Sequence, residues 1–355
     1  MIVQKALLSL TALLLAGAFC THAGAQNYVA QSTSTDQPPT VQDSIVEHPL
    51  NVSDPGAITS TTRNDLNNHR IRVGLALGGG GSRGSAHVGV LKVLIEEGVP
   101  IDLIAGTSIG SVVGGFYSAG VSLDALAAEF DKDTFIKEFM PLALPTKLLL
   151  MPLSMPKKLF SHHSYAGIYG GNKFQKYSDR VTHFVRIEDL KIPFAAVCTN
   201  VVDGKSCRLT SGDLGRAMQA STAVPVLKAP VQIGDKLYCD GGVVCNVPVR
   251  HVSEMGADFV IAVDIDEPLS DVPIKTFQRT GSMAKQAVRI LLSHADEPLL
   301  AKADIAIHPD TAGITLISRK KSDGQRGIDA GIKAAREAMP EIKRKLTALG
   351  VVLNK

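Results

Sequence analysis

Two glycine-rich turns, each set between a strand-like run and a helix-like run, constrain the fold of this chain most. Residues 78–84 read GGGGSRG and follow the apolar run 71–77, and residues 106–110 read GTSIG and follow the apolar run 101–105. Turns this tight bring backbone against backbone, which glycine tolerates because it has no side chain. The pattern predicts a βαβ unit with two parallel strands.

The same two turns carry groups suited to one reaction. Ser108 stands between Gly106 and Gly110, in the strand–turn–helix setting that presents a nucleophilic hydroxyl. Backbone N–H groups aimed at one point can stabilise the negative charge that develops when a hydroxyl attacks an ester carbonyl. The candidate donors of this oxyanion hole are Gly79, Gly80 and Gly81. We therefore expect a serine acyl hydrolase.

Strand-like and helix-like runs alternate through the rest of the chain. This order predicts an α/β fold, a three-layer α/β/α sandwich around a mostly parallel sheet, in one domain over residues 69–355. We expect the tail 328–349 to be helical, with Pro340 kinking or dividing it. Strands are predicted at 194–199, 206–210, 236–238 and 259–264, and helices at 85–97, 109–119, 214–221 and 248–255.

The N-terminal part of the chain reads as a targeting segment followed by a leader. Residues 1–25 combine Lys5, a short apolar run and small residues at 23–25, which is typical of a cleaved signal peptide. We expect an exported protein, periplasmic or secreted. Residues 26–68 are polar and rich in Ser, Thr and Pro, a composition that predicts a disordered leader.

Residues 139–170 form an apolar insertion with several methionines, prolines and lysines and no acidic residue. Flexible apolar side chains beside cations suit a lid, or a patch that touches anionic lipid head groups. An insertion that merely covers the core explains the composition equally well. Peripheral membrane contact is thus one of two interpretations of this segment.

Charge and cysteine content limit the remaining classes. The chain has 37 basic and 34 acidic residues without a long basic run, so we expect no nucleic-acid partner. No cysteine spacing matches a metal site, and we expect neither metal nor cofactor. A two-residue turn at Asp203-Gly204 would pair residue 200 with 207 and place Cys198 diagonally from Cys207. Buried thiols and a disulfide both stay open, here and for Cys239 and Cys245.

Three motifs in order resemble the patatin-like phospholipases, specifically their bacterial members. After the glycine turn and the Ser108 turn comes Asp240-Gly241-Gly242, with Asn246 beyond it, and residues 220–231 resemble the block that precedes this aspartate in the family. The resemblance spans about residues 71–349. It implies a Ser–Asp dyad, with Ser108 as nucleophile and Asp240 as base, acting on phospholipids or lysophospholipids.

Supporting roles around the dyad are carried over or argued from residue type. Arg83 is interpreted as holding the glycine turn, rather than meeting a phosphate, because a guanidinium can bond several carbonyls. Asn246 is interpreted as bracing the turn after Asp240. The remaining supporting residues are the glycines of the three motifs: Gly84, Gly106, Gly110, Gly241 and Gly242.

Competing interpretations of the motifs remain. A general carboxylesterase would use the same dyad. A Ser–His–Asp hydrolase needs a histidine after the acid, and His308, after the strand-like run 305–307, is the best placed. Residues 79–84 also match the dinucleotide fingerprint, but the acidic residue expected at the end of the second strand is missing. A scaffold that has lost its chemistry is a fourth alternative, weakened because Ser108 and Asp240 are both present.

Overall fold

The computed structural model describes part of the chain, in two compact units. The predicted signal peptide and most of the predicted leader and insertion lie outside the described residues, so export and the lid stay predictions. Among the described residues, one unit falls within 269–293, and the other, which contains the described strands, falls within 47–267 and 294–353. The described residues are 47–49, 70–132, 134–141, 146, 167–267, 269, 271–278 and 282–353.

The elements follow in the order that the sequence predicts, with additions. The strands are β1 (Glu47–Pro49), β2 (Val73–Leu77), β3 (Leu103–Thr107), β4 (Phe194–Asn200), β5 (Ser206–Leu209), β6 (Val231–Ile233), β7 (Lys236–Asp240), β8 (Phe259–Val263) and β9 (Ile305–Ile307). The α-helices are α1 (Ser85–Glu96), α2 (Ile109–Ser118), α3 (Leu123–Asp131), α4 (Thr134–Phe139), α5 (Asn172–Val181), α6 (Leu214–Ser221), α7 (Val249–Glu254), α8 (Ser282–Leu300) and α9 (Lys321–Ala348).

Within the described residues the nine strands form one mixed sheet with a parallel centre. The order along the main path is β1-β5-β4-β3-β2-β8-β9, and the neighbours from β4 to β9 run parallel. β5, β6 and β7 add antiparallel pairs beside β4. Parallel strands joined by helices place their carboxyl ends at one edge, where sites on α/β sheets form.

Helices cover both faces of the sheet, which confirms the predicted α/β sandwich. Side chains alternate along a strand, so Leu75 and Leu77 of β2 pack in one buried cluster with α1 and α2, while Ala76 packs in a second cluster with α7. The central strands are buried on both faces and accordingly apolar throughout.

β3 and β7 approach each other along one edge of β4. β3 and β5 both pair with residues 196–197 of β4, and β5 and β7 both pair with residues 198–199. A strand has only two edges, so β3 and β7 share the edge that β5 leaves open. Because β3 runs parallel to β4 and β7 runs antiparallel, their carboxyl ends meet, with Thr107 opposite Val197 and Asp240 opposite Cys198.

The hairpin between β4 and β5 has a different register from the predicted one. Cys198 lies directly opposite Cys207, and the N–H of Asn200 donates to the carbonyl of Lys205 at 2.9 Å, so the turn has four residues. The predicted pairing of 200 with 207 is therefore wrong. The side chains of Cys198, Cys207, Cys239 and Cys245 are buried in the structure.

The structure bears on two further predictions. The C-terminal helix α9 continues through Pro340 to Ala348, so Pro340 does not divide it, and the kink stays a prediction. Buried Met339, Ile342 and Leu346 on either side of the proline pack in the core, which offsets the hydrogen bond that proline removes. Within the predicted leader, β1 pairs antiparallel with β5.

Candidate active site

Ser108 occupies the sharp turn between β3 and α2. Its backbone has φ 52° and ψ −123°, a conformation that costs a non-glycine residue about 1–3 kcal/mol. Two hydrogen bonds stabilise the turn, because the carbonyl of Ser108 accepts the N–H of Ser111 at 2.9 Å and the Ser111 hydroxyl at 2.6 Å. This strained elbow leaves the Ser108 side chain half-buried, with its hydroxyl at the carboxyl edge of the sheet.

Asp240 is the last residue of β7 and is the direct partner of Ser108. The Ser108 hydroxyl donates to Asp240 Oδ2 at 2.7 Å, and the N–H of Gly242 donates to Oδ1 at 2.8 Å. Only 5% of Asp240 is exposed, and burial raises the pKa of its carboxyl group to about 6, against the opposing effect of the two hydrogen bonds. The carboxylate is therefore a stronger proton acceptor than an ordinary aspartate.

The glycine turn packs against the serine. A β-carbon placed on Gly79 would lie 3.2 Å from the Ser108 β-carbon. The N–H of Gly79 donates to the carbonyl of Asn246 at 3.2 Å. Of the three predicted oxyanion donors, Gly80 and Gly81 are those whose N–H groups donate to no acceptor among the described residues.

Arg83 is buried behind the glycine turn. Its Nε donates to the carbonyl of Ile314 at 2.9 Å, and its terminal nitrogens lie 3.4 Å from Asp266 Oδ1 and 3.0 Å from Glu267 Oε1. All three partners are residues of this chain. The bonds connect the glycine turn to two segments that are distant in sequence, 266–267 and 314. Holding the glycine turn stays the predicted role of Arg83.

Asn246 joins the turn after Asp240 to the glycine turn. Besides accepting the Gly79 N–H, it donates its side-chain Nδ2 to Asp266 Oδ2 at 2.9 Å and its backbone N–H to Asp296 Oδ1 at 3.1 Å. Burial, with Asp264 nearby, raises the pKa of Asp266 to about 7, and Arg83 opposes that rise. Asn246 is thus hydrogen-bonded to the glycine turn and to two aspartates, and bracing the turn after Asp240 stays its predicted role.

An apolar pocket opens beside Ser108. Its wall comes mainly from α2, α3, α4 and α5, together with residues 316–317. Glu129, Thr222, Ser318, Lys320 and Asp323 contribute the polar part of the lining. The apolar lining consists of Ile109, Val112, Phe130, Phe135, Ile136, Phe139, Phe174, Leu316 and Ile317.

The histidine of the competing triad lies elsewhere. His308 Nδ1 is 3.4 Å from Asp264 Oδ2, and this hydrogen bond raises the pKa of the imidazole. Among the described residues no histidine bonds to Ser108 or Asp240. The same part of the chain contains no cluster of three His, Cys, Asp or Glu side chains suited to a metal ion. Nor does it contain a helix with the length and hydropathy of a membrane span.

Sequence reasoning missed several residues of the site. Asp266, Glu267 and Asp296 bond to Arg83 or Asn246, yet nothing in the spacing of these acids marks them for that role. Ser221 is the more telling omission. It accepts the N–H of Ser108 at 2.9 Å, and its place within the block 220–231 was the signal available.

A serine on a strand-to-helix elbow, bonded directly to a buried aspartate at the edge of a parallel sheet, defines an α/β protein with a two-residue site. Comparison with protein families narrows the class. The family model described as patatin-like phospholipase matches residues 75–252, half of the chain. The chain belongs to the patatin-like phospholipase family, which confirms the resemblance seen in its motifs.

Individual relatives share part of this region. An uncharacterized NTE family protein of Mycobacterium tuberculosis is 37% identical over 195 residues, covering 55% of this chain and 49% of its own length. The lysophospholipase NTE1 of Kluyveromyces lactis is 34% identical over 195 residues, 54% of this chain and 12% of its own. The chain thus spans half or less of these relatives. The crystal structure of VipD from Legionella pneumophila aligns with a TM-score of 0.43 at 15% identity, covering 77% of this chain and 67% of that one.

Proposed function

We propose that this chain is a serine lipid acyl hydrolase that cleaves ester bonds of phospholipids or lysophospholipids through an acyl-enzyme on Ser108. The observation that carries the proposal is the 2.7 Å hydrogen bond to Asp240 from the hydroxyl of Ser108, whose backbone forms a strained elbow. Membership of the patatin-like phospholipase family supports a lipid ester as substrate. The name of the yeast relative, a lysophospholipase, supports lysophospholipids among the substrates.

The proposed reaction has two halves, formation of the acyl-enzyme and its hydrolysis. Ser108 Oγ attacks the ester carbonyl carbon while its proton passes to Asp240 Oδ2, and the N–H groups of Gly80 and Gly81 stabilise the oxyanion. Losing one such donor typically costs about 2.7–4 kcal/mol of transition-state stabilisation. The alcohol then leaves with the proton from Asp240. A water molecule attacks the acyl-enzyme, gives its proton through Asp240 to Ser108, and releases the fatty acid.

The apolar pocket is the site proposed for the acyl chain. Four phenylalanines and several aliphatic residues line the same pocket as Ser108. Each methylene group buried there contributes about 0.8 kcal/mol to binding. This lining favours a lipid ester over the esters of small, polar acids that a general carboxylesterase also takes.

The same proposal includes contact with a lipid surface around the mouth of the site. Leu316 and Ile317, which line the pocket, are 51% and 41% exposed. Exposed cations at 319–321 follow this apolar pair after the buried Ser318. Apolar side chains beside cations are complementary to a membrane with anionic head groups. The substrate would then reach Ser108 without crossing water.

Product analysis tests the activity. We expect the purified protein to release free fatty acid from defined phospholipids or lysophospholipids, measured by mass spectrometry, with Ser108→Ala as the control. Asp240→Asn is expected to be inactive, whereas His308→Ala keeps activity. A protein that hydrolyses only short soluble esters is a carboxylesterase. Failure of a fluorophosphonate probe to label Ser108 would favour a scaffold instead.

Vesicle sedimentation tests the lipid surface. We expect Leu316→Ser with Ile317→Ser to bind vesicles of phosphatidylcholine and phosphatidylglycerol less tightly than the unchanged protein. Phe184→Ser is the matched control, because Phe184 is 68% exposed but lies away from the pocket. The carbonyl of its neighbour, residue 185, accepts the N–H of the first residue of α6, whereas the pocket residue Thr222 follows the last residue of that helix. Equal loss of vesicle binding in both variants, or no loss in either, contradicts the proposed contact with a lipid surface.

A further inference from the structure

The junction where β3 and β7 meet along β4 is bridged by a hydroxyl group. Ser221 is the last residue of α6 and is fully buried. Its oxygen accepts the backbone N–H of Ser108 at 2.9 Å and donates to the carbonyl of Val197 at 2.7 Å. In a regular parallel pair the N–H of one strand donates directly to its neighbour. At Ser108 the chain leaves β4 to form the elbow, and the Ser221 hydroxyl spans the gap.

The same turn of chain also holds the aspartate. The backbone N–H of Asp240 donates to the carbonyl of Ala223 at 3.0 Å, two residues after Ser221. Residues 221–223 therefore bond to the backbone of both members of the pair. Ser108 and Asp240 are 132 positions apart in sequence, yet a single helix end fixes their relative placement.

We propose that Ser221 is a positioning residue, which sets the Ser108 elbow so that its hydroxyl meets Asp240. The inference rests on the proposed function but goes beyond it, because the family motifs assign no role to this side chain. A hydroxyl is suited to the place because it accepts and donates at once, whereas alanine leaves the buried N–H of Ser108 and the carbonyl of Val197 unpaired. With φ at 52°, the elbow then relaxes towards a common conformation and carries Oγ away from the carboxylate.

The alternative roles of Ser221 fit the contacts less well. Its oxygen is not part of the pocket lining, where the next residue, Thr222, takes a place. Its two hydrogen bonds run to backbone atoms, so it does not pass a proton to Asp240. Ser221 therefore touches neither substrate nor the reacting carboxylate, and it acts through the backbone of Ser108.

Kinetics of Ser221→Ala on a soluble ester, with the rate of fluorophosphonate labelling of Ser108, tests the proposal. A displacement of about 1 Å at the nucleophile costs on the order of 100-fold in rate, so we expect kcat and the labelling rate to fall by roughly 10- to 100-fold with KM unchanged. Ser221→Cys keeps the volume with a weaker hydrogen-bonding group, and we expect an intermediate loss.

Ser178→Ala is the matched control for lost buried hydroxyls. Ser178 is equally buried, and its hydroxyl donates to the carbonyl of Phe174 at 3.0 Å. We expect this variant to lose a similar amount of thermal stability and to keep kcat. Labelling of Ser221→Ala or Ser221→Cys at the rate of Ser178→Ala overturns the positioning role. If the unchanged protein neither labels nor hydrolyses, the proposed function fails as well.

Discussion

At the scale of single residues, the pKa of Asp240 determines how well its carboxylate can accept a proton from Ser108. An ordinary aspartate, with a pKa of about 3.9, accepts a serine proton poorly. Here burial raises the pKa of the carboxyl group to about 6. The carboxylate is thus a better base, while it stays ionised at neutral pH. The strained backbone of Ser108 and the buried charge of Asp240 both cost stability, which is common where function requires it.

The pH dependence of activity follows from this pKa. In the proposed mechanism only ionised Asp240 accepts the Ser108 proton, so we expect kcat/KM for a soluble ester to rise about tenfold per pH unit below pH 6 and to level above it. Rates from pH 4.5 to 8.5 in buffers of constant ionic strength provide the measurement. A plateau that already begins at pH 5 contradicts the raised pKa.

The stability of Asp240→Asn gives an independent measure of the buried charge. The folded-state pKa lies above the ordinary 3.8, so the penalty for ionisation is absent below that value and complete above about pH 6. A shift of about two units corresponds to about 3 kcal/mol. We expect Asp240→Asn to be more stable than the unchanged protein by about 1–3 kcal/mol at pH 8, and equal near pH 4. Urea unfolding at both values checks this, and an equal stability at pH 8 is the contrary result.

At the scale of elements, a distant segment shapes the glycine turn. The N–H of Ser82 donates to the carbonyl of Leu316 at 2.9 Å, and the N–H of Ser318 donates to the Ser82 hydroxyl at 2.9 Å. The segment 314–318 thus runs along the turn and holds it from outside. Gly81 has φ 57°, and a β-carbon there would collide with the carbonyl of Leu316.

Gly81→Ala separates this collision from simple backbone strain. We expect a loss of catalytic rate of about 100-fold or more, because displacing the turn moves an oxyanion donor. Gly204→Ala is the control, since Gly204 has φ 70° and open space around its α-carbon. It pays a similar cost for the left-handed conformation, about 1 kcal/mol, and keeps full activity. Equal kcat in both variants would show that segment 314–318 gives way.

The central elements were predictable because they follow local patterns. Helix α6 was predicted at its observed bounds, 214–221, and the strand predicted at 236–238 lies within β7, which extends to Asp240. The register of the β4–β5 hairpin was not, because a four-residue turn and a two-residue turn share the same Asp-Gly signal. The bonds between the glycine turn and segment 314–318 join residues more than 230 positions apart, which no local pattern encodes.

At the scale of the whole molecule, the site depends on how α9 packs against α1. Helix α1 begins at Ser85, directly after the glycine turn, so its position sets the position of that turn. Where the two helices touch, a β-carbon on Gly331 would collide with the carbonyl of Ala86. The absence of a side chain therefore permits the close approach.

Gly331→Ala tests this packing. Overpacking typically costs about 1–3 kcal/mol, and we expect a loss of that size in urea unfolding, with reduced activity because α1 shifts. Gly170→Ala serves as the comparison, since no atom lies within 4 Å of its added β-carbon. A Gly331→Ala protein with unchanged stability would mean that the helices separate without cost.

Because the ends of β3 and β7 meet although the two strands are far apart in sequence, Ser108 and Asp240 are synthesised at different times. A nascent chain that has emerged as far as β4 already contains Ser108 and the strand with which β7 will pair, but it does not yet contain Asp240. The proposed Ser–Asp pair is therefore incomplete until about two thirds of the chain has been synthesised.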